Sequence, residues 1–191
     1  MRYVDTAGRS ARLGWARADH RLLVALRECG REPRVAAAAR TLSYCGEHGA
    51  LWIAAGLAGA AADRERRGGW LRGTALIGAA HLASMGIKRV VRRPRPQLLV
   101  RGLEPLVRTA GRHSFPSSHA TAAGAAAVAF GTLWPAGRRL FPPLAAAMCV
   151  SRLVAGVHYP SDVAAGALLG ALTARLGTTL LPRRAIGGRR G

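Results

Sequence analysis

Residues 115–134 read FPSSHATAAGAAAVAFGTLW. The run after His119 is small, apolar and free of charge, and it is long enough to predict a buried or membrane helix. Pro116 and Ser117 suit the start of that helix. Proline presets the helical backbone angle, and a serine hydroxyl accepts from a free backbone N–H. Such an end gathers unpaired amides and suits an anion. His119, on the first turn, is placed to give or take a proton there. Taken alone, the stretch reads equally as a plain helix cap with an incidental histidine.

The chain outside this stretch favours the first reading. Its 191 residues are half hydrophobic yet carry a formal charge of +20. Arginine gathers in short connecting segments, while Ala, Leu, Gly and Val fill the runs between them. This segregation predicts an all-α fold, a multi-pass membrane bundle with basic loops at the lipid headgroups. A soluble nucleic-acid binder explains the arginines but not the apolar runs, so no nucleic-acid partner is expected. Cys29, Cys45 and Cys149 lack metal-ligand spacing and read as buried thiols. The first fifteen residues hold Arg2, Arg9 and Arg12 without an apolar core, which predicts no cleavable leader.

Taken in order, residues 1–16 read as disordered and 17–31 as a short amphipathic helix lying in the membrane interface. Five spans follow, over about 35–62, 70–87, 116–134, 140–157 and 160–181. A long polar connection, 88–115, separates the second span from the third. Pro135–Arg139 reads as a tight basic turn, which places Pro142 and Pro143 in the first turn of the fourth span. Gly166 and Gly170, four apart, suit close helix packing in lipid. With five spans, the N-terminal segment, the 88–115 connection, the start of the third span and the 158–161 turn share one face.

Three chemical stretches thus converge. The first runs from Lys88 to Pro96, with Lys88 and Arg95 held by two prolines. Lysine offers a point charge to phosphate, and arginine a planar fork. By itself this segment also reads as a headgroup collar. The second is Pro116–His119. The third holds Arg152 inside an apolar span, where a charge is expensive, followed by His158 and Asp162. A carboxylate on one imidazole nitrogen leaves the other as nucleophile or base.

Lys-x6-Arg-Pro, Pro-Ser-x-His and Ser-Arg-x5-His-x3-Asp, in that order, resemble the type 2 phosphatidic acid phosphatase superfamily of membrane lipid-phosphate phosphatases. The resemblance covers roughly residues 40–182. It implies a domain plan of 1–34 as tail and amphipathic helix, 35–182 as phosphatase domain and 183–191 as basic tail. It implies that His158 attacks phosphorus to give a phosphohistidine, that Asp162 orients His158, and that His119 protonates the leaving alkoxide and then activates water. It assigns phosphate binding to Lys88, Arg95, Arg152, the Ser117 hydroxyl and the Ser118 amide. Arg92 and Arg93 stand as outer contacts, and Glu47 and His48 as lining of the substrate entrance or as helix packing. One departure is visible: the family's usual glycine between the serine and histidine is Ser118 here.

No cofactor is expected, because side chains supply the cations and no carboxylate cluster is present to hold Mg²⁺. The expected partners are a lipid-phosphate substrate and membrane lipids. The resemblance leaves several substrates open: a polyprenyl phosphate or diphosphate, decaprenylphosphoryl-5-phosphoribose, phosphatidic acid or phosphatidylglycerophosphate. The chain, small and Ala- and Arg-rich, resembles the small actinobacterial members of the family, some of which act in the decaprenylphosphoryl-arabinose route to the cell wall, and that resemblance leans to a polyprenyl-linked substrate. A vanadate-dependent haloperoxidase-like oxidase is the rival chemistry, and a non-catalytic lipid binder the rival class. Most of the 29 Lys and Arg fall on the active-site face. That bias predicts a site turned to the cytoplasm, although family members that recycle carrier lipids mostly face outward.

Overall fold

Helix α5, Ser118–Gly131, is the axis of the bundle, and ten of its fourteen residues are buried. Around it pack α4 (Arg67–Val91), α6 (Pro135–Val154) and α7 (Pro160–Leu180). The computed structural model describes residues 6–100, 102–109 and 111–180, and all regular elements among them are helical. Before α4 come α1 (Thr6–Cys29), α2 (Pro33–Cys45) and α3 (Ala50–Ala62). The proposed tail at 183–191 lies outside the described residues.

Alanine and glycine are what let α5 sit this deep. A Cβ on Gly166 of α7 would lie 2.5 Å from the Ser117 carbonyl oxygen, and one on Gly170 would lie 2.8 Å from the Ala125 nitrogen. The two glycines bring one backbone against another, as their spacing predicts. At the far end from His119, Trp70, Phe130, Trp134 and Phe141 close the bundle. Their ring centroids lie 4.9 Å apart for Trp70–Phe130 and 5.2 Å for Phe130–Phe141, in tilted geometry favourable to aromatic pairs.

Several expectations need correction. The amphipathic helix begins at Thr6 rather than residue 17, so residues 6–16 are helical. The first expected span is two helices, broken at Gly46–Gly49. His48 and Gly49 both turn left-handed there, at φ 53° and 77°, and a continuous helix cannot accommodate that pair. Residues 135–139 are not a turn. Pro135 takes the first helical position of α6, where its fixed φ is preset, and the helix continues through Arg138 and Arg139. Pro142 and Pro143 therefore lie inside α6 rather than in its first turn. Cys29 and Cys45 are exposed and Cys149 is half-buried, because these positions face away from the axis.

Among the described residues α7 alone is both long and apolar enough to cross a membrane by itself, at a mean hydropathy of 1.4. Helices α4 and α6 have the length, but Arg72, Lys88 and Arg89 in one and Arg138, Arg139 and Arg152 in the other lower their average. Helices α3 and α5, with 13 and 14 residues, reach only about 20 Å.

The 92–117 segment is long but not loose. Leu106 N donates to Ala155 O (3.0 Å), Ser114 N to Arg93 O (2.8 Å) and Arg95 N to Arg112 O (3.3 Å). These bonds hold the segment over the ends of α4, α6 and α7, at the end of the bundle where α5 begins.

Candidate active site

The three chemical stretches meet around a cavity of about 260 Å³. Lys88 arrives from the last turn of α4, Arg95 from the connection, Ser118 and His119 from the first turn of α5, Arg152 from the last turn of α6, and His158 from the turn before α7. Helices α4 and α6 end here and α7 begins here, because Pro94, Gly156 and Pro160 stop or restart the chain; Gly156 is left-handed at φ 72°.

The cations are the notable feature. Arg152 is 3% exposed and Arg95 7%. Arg95 donates to Gly111 O (2.6 Å) and Val157 O (3.0 Å), Lys88 donates to Pro116 O (2.8 Å), and Arg152 Nε has no partner. None of the three pairs with a carboxylate among the described residues. Burying positive charge against carbonyls alone is costly, and an anion in the cavity would relieve it. Burial lowers Arg95 to about 10, partly offset by the charge of Asp162.

His158 is 1% exposed. Its Nε2 lies 3.4 Å from an Arg95 guanidinium nitrogen. Its Nδ1 lies 3.7 Å from Asp162 Oδ2 and has no hydrogen bond. That separation is too long for a hydrogen bond; catalytic contacts of this kind are often long in a free enzyme and tighten in a substrate complex. Burial first, then Arg95, Arg152, Lys88 and His119, hold the His158 imidazolium well below its ordinary range. The ring is therefore neutral near pH 7, with a lone pair to offer.

Asp162 is fully buried. Its Oδ2 accepts from Tyr159 N (2.9 Å), and its Oδ1 accepts from Arg93 Nη1 (2.8 Å). Arg93, expected as an outer contact, thus reaches the carboxylate directly and also stacks over the Tyr159 ring at 4.1 Å. Arg92 is not brought to the site: it caps α4, and its Nε donates to Arg89 O. Ser117 is buried as the N-cap of α5, its hydroxyl accepting from Ala120 N and its own N–H donating to Asp162 O at 3.0 Å. Ser117 and Asp162 lie behind the cavity wall rather than on it.

His119 Nε2 lies 3.0 Å from the Ser43 carbonyl oxygen, in the last turn of α2. Gly46 permits this approach, since a Cβ there would sit 2.9 Å from the imidazole. Ser118, the departure from the motif, sets its hydroxyl 2.9 Å from that of Ser84 on α4. Glu47 and His48 line the outer part of the cavity, with His81 and Tyr44. His81, Ser84 and Ser43 had no motif to mark them in the sequence. Among the described residues no three His, Cys, Asp or Glu side chains gather as a metal site would.

A cavity lined by three cations and two imidazoles, one of them close to a buried carboxylate, has the groups that phosphoryl transfer calls for. Comparison with known proteins agrees. A PAP2 superfamily model matches residues 69–186. The decaprenylphosphoryl-5-phosphoribose phosphatase of Mycolicibacterium smegmatis is 48% identical over 136 residues, covering 70% of this chain and 72% of that protein. The crystal structure of a PAP2 type phosphatidylglycerolphosphate phosphatase from Bacillus subtilis superposes with a TM-score of 0.69 at 22% identity, over 87% of this chain and 86% of that one. A bacterial vanadium-dependent iodoperoxidase gives 0.68 at 17% identity, over 85% of this chain and 48% of that one. These two structures share the fold and carry no argument about the reaction. The chain belongs to the PAP2 superfamily. It is an enzyme, a phosphoric monoester hydrolase of the lipid-phosphatase kind.

Proposed function

We propose that the protein hydrolyses the phosphomonoester of a polyprenyl-linked lipid, such as decaprenylphosphoryl-5-phosphoribose, through a phosphohistidine. The observation that carries the chemistry is the buried His158, with Asp162 3.7 Å from Nδ1, Arg95 3.4 Å from Nε2, and Lys88 and Arg152 lining the same cavity without carboxylate partners among the described residues. The substrate reading is supported by the name of the 48% identical relative.

Nε2 of His158 attacks phosphorus in line. The P–N bond forms as the ester P–O bond breaks, and His119 gives a proton to the departing alkoxide. Asp162 closes on Nδ1 and steadies the charge that the ring gains. Lys88, Arg95 and Arg152, with the Ser118 amide at the N-terminus of α5, hold the phosphoryl oxygens as charge spreads over them. In the second step His119 takes a proton from water, the water oxygen bonds phosphorus, and the P–N electron pair returns to Nε2. The side chains supply all the cations that this scheme needs. Ser117 contributes by fixing the α5 terminus against Asp162.

In the same proposal the bundle is a multi-pass cell-membrane protein of five crossings: α2 with α3, then α4, α5, α6 and α7. Helix α1 lies in the interface, and the cavity opens to the cytoplasm, as the loop charges favour. In a cysteine-free background, Leu99→Cys, exposed at the cavity end, should react with an impermeant thiol reagent only after cells are opened. Reaction in intact cells would reverse the orientation.

The function is tested by phosphate release from a panel of lipid phosphates with purified protein. Decaprenylphosphoryl-5-phosphoribose should turn over fastest, and His158→Ala should abolish release while the protein stays folded. Release undiminished in that variant would sink the mechanism. Preference for phosphatidic acid would overturn only the polyprenyl assignment.

A further inference from the structure

The family match begins at residue 69, yet one of the contacts that fix the catalytic carboxylate comes from α1. Asp19 lies 143 positions before Asp162. Its Oδ1 accepts from the backbone N–H of Ser161 (2.9 Å), in the first turn of α7. Its Oδ2 accepts from Arg93 Nη2 (2.9 Å) and from the Ser161 hydroxyl. Arg93 turns its other nitrogen, Nη1, to Asp162 Oδ1 (2.8 Å) and to the Ser161 hydroxyl (2.7 Å). The guanidinium is thus a bridge with one carboxylate on each side. Asp19 caps α7 from another helix, satisfying an amide that the α7 terminus leaves free.

The rest of the same α1 face supports that placement. Asp19, Leu23 and Arg27 are four apart, so they share a stripe. Leu23 is fully buried, and Arg27 donates through Nε (3.0 Å) and Nη2 (2.9 Å) to the Glu104 carbonyl of the connection. Helix α1 therefore binds both segments that carry the site, the connection through Arg27 and Arg93, and the α7 start through Ser161.

We infer that Asp19 is a positioning residue for the phosphatase reaction, setting Asp162 against His158 through Arg93 and Ser161. With Asp19 present, the guanidinium divides between two carboxylates and takes only one Asp162 oxygen. The other oxygen is left with Tyr159 N and the His158 ring. Without Asp19, the fork is free to take Asp162 by both oxygens, which draws it from Nδ1. The inference rests on the proposed role of the His158–Asp162 pair.

Steady-state kinetics of Asp19→Asn, alone and in an Asp162→Asn background, test it. Asparagine keeps an acceptor for Ser161 N and removes the charge that competes for Arg93. Asp19→Asn should lower kcat roughly tenfold, with KM within about twofold, as for the loss of one charge-assisted contact felt at the reacting centre. Asp19→Glu should recover most of that loss. In the Asp162→Asn background the Asp19 substitution should change kcat by less than about twofold, because a residue acting through Asp162 has nothing left to position. An unchanged kcat in Asp19→Asn overturns the inference, and so does an equal tenfold fall in both backgrounds or a rise in KM alone. If Asp19→Asn does not fold, Ser161→Ala, which removes the bridging hydroxyl, should show the same kcat-only loss at about threefold, and normal kcat there overturns the inference. Wild-type turnover with an active Asp162→Asn would instead refute the proposed role of Asp162 itself.

Discussion

Replacing Gly166 by alanine sets a methyl carbon between two backbones. The new Cβ would lie 2.5 Å from Ser117 O and 3.2 Å from Ser117 N, where ordinary contact begins at 3.4 Å. Neither neighbour is the end of a flexible side chain, so α7 must draw back from α5 by about 0.9 Å. The bond from Ser117 N to Asp162 O, 3.0 Å long, then stretches to roughly 3.9 Å and is lost. Overpacking of this kind costs about 1–3 kcal/mol, or a fall of roughly 2–12 °C in Tm for a chain of this size. The larger effect is on catalysis. Asp162 and His158 move with the α7 start, while Lys88 and Arg95 stay, and a displacement near 1 Å costs about a hundredfold in rate. Thermal unfolding in detergent and phosphate release give the two readings. Gly177→Ala, whose nearest neighbours are atoms of the Leu76 side chain near the other end, serves as the control and should keep kcat. If Gly166→Ala lost stability but kept kcat within about threefold, the α5–α7 contact would not set the catalytic geometry.

Four further outcomes follow from the site. Arg152→Met should abolish turnover yet leave Tm unchanged or higher, because it removes a buried charge with no carboxylate partner; a lower Tm would make Arg152 structural. The acid limb of kcat/KM, corrected for the ester's own ionisation near pH 6, should fall below the ordinary imidazole value of about 6.5, since His158 is held neutral by burial and neighbouring cations. By the same shift, His158 costs stability only as pH falls below about 6.5, where the unfolded ring binds a proton that the folded ring refuses; an acid limb above that value contradicts both. Ser118→Gly breaks the hydroxyl contact to Ser84 but keeps the amide, so kcat/KM should stay within about threefold, and a hundredfold loss would make the hydroxyl essential.

The chemical residues were legible because their types are few and their spacing is fixed by helix ends. Lys88, Arg95, His119, Arg152 and His158 all line the cavity. Backbone placement was legible where small residues dictate it, as at Gly166 and Gly170. What escaped depends on partners far apart in sequence. Asp19 carries no local pattern that points to Arg93 or Ser161. The α2–α3 break did carry a signal, since Gly46 and Gly49 flank Glu47 and His48, but an apolar run on either side outweighs two glycines when only hydropathy is read. Pro142 and Pro143 misplaced the start of α6 because prolines favour a first turn, and Pro135 had already taken that place.

His119 and His158 are supported by different kinds of matter. His158 depends on a carboxylate, which depends on an arginine, which depends on another carboxylate, and each link is a side chain that one codon change removes. His119 rests on the main-chain oxygen of residue 43. Any amino acid at position 43 supplies that oxygen. The anchor of the proposed proton donor is therefore indifferent to substitution at residue 43 itself, and its exposed point is Gly46, where any side chain would crowd the imidazole. In a lineage that accumulates substitutions, the support of His158 can decay at any of several side chains, while that of His119 tolerates every change at residue 43 and is exposed mainly through Gly46.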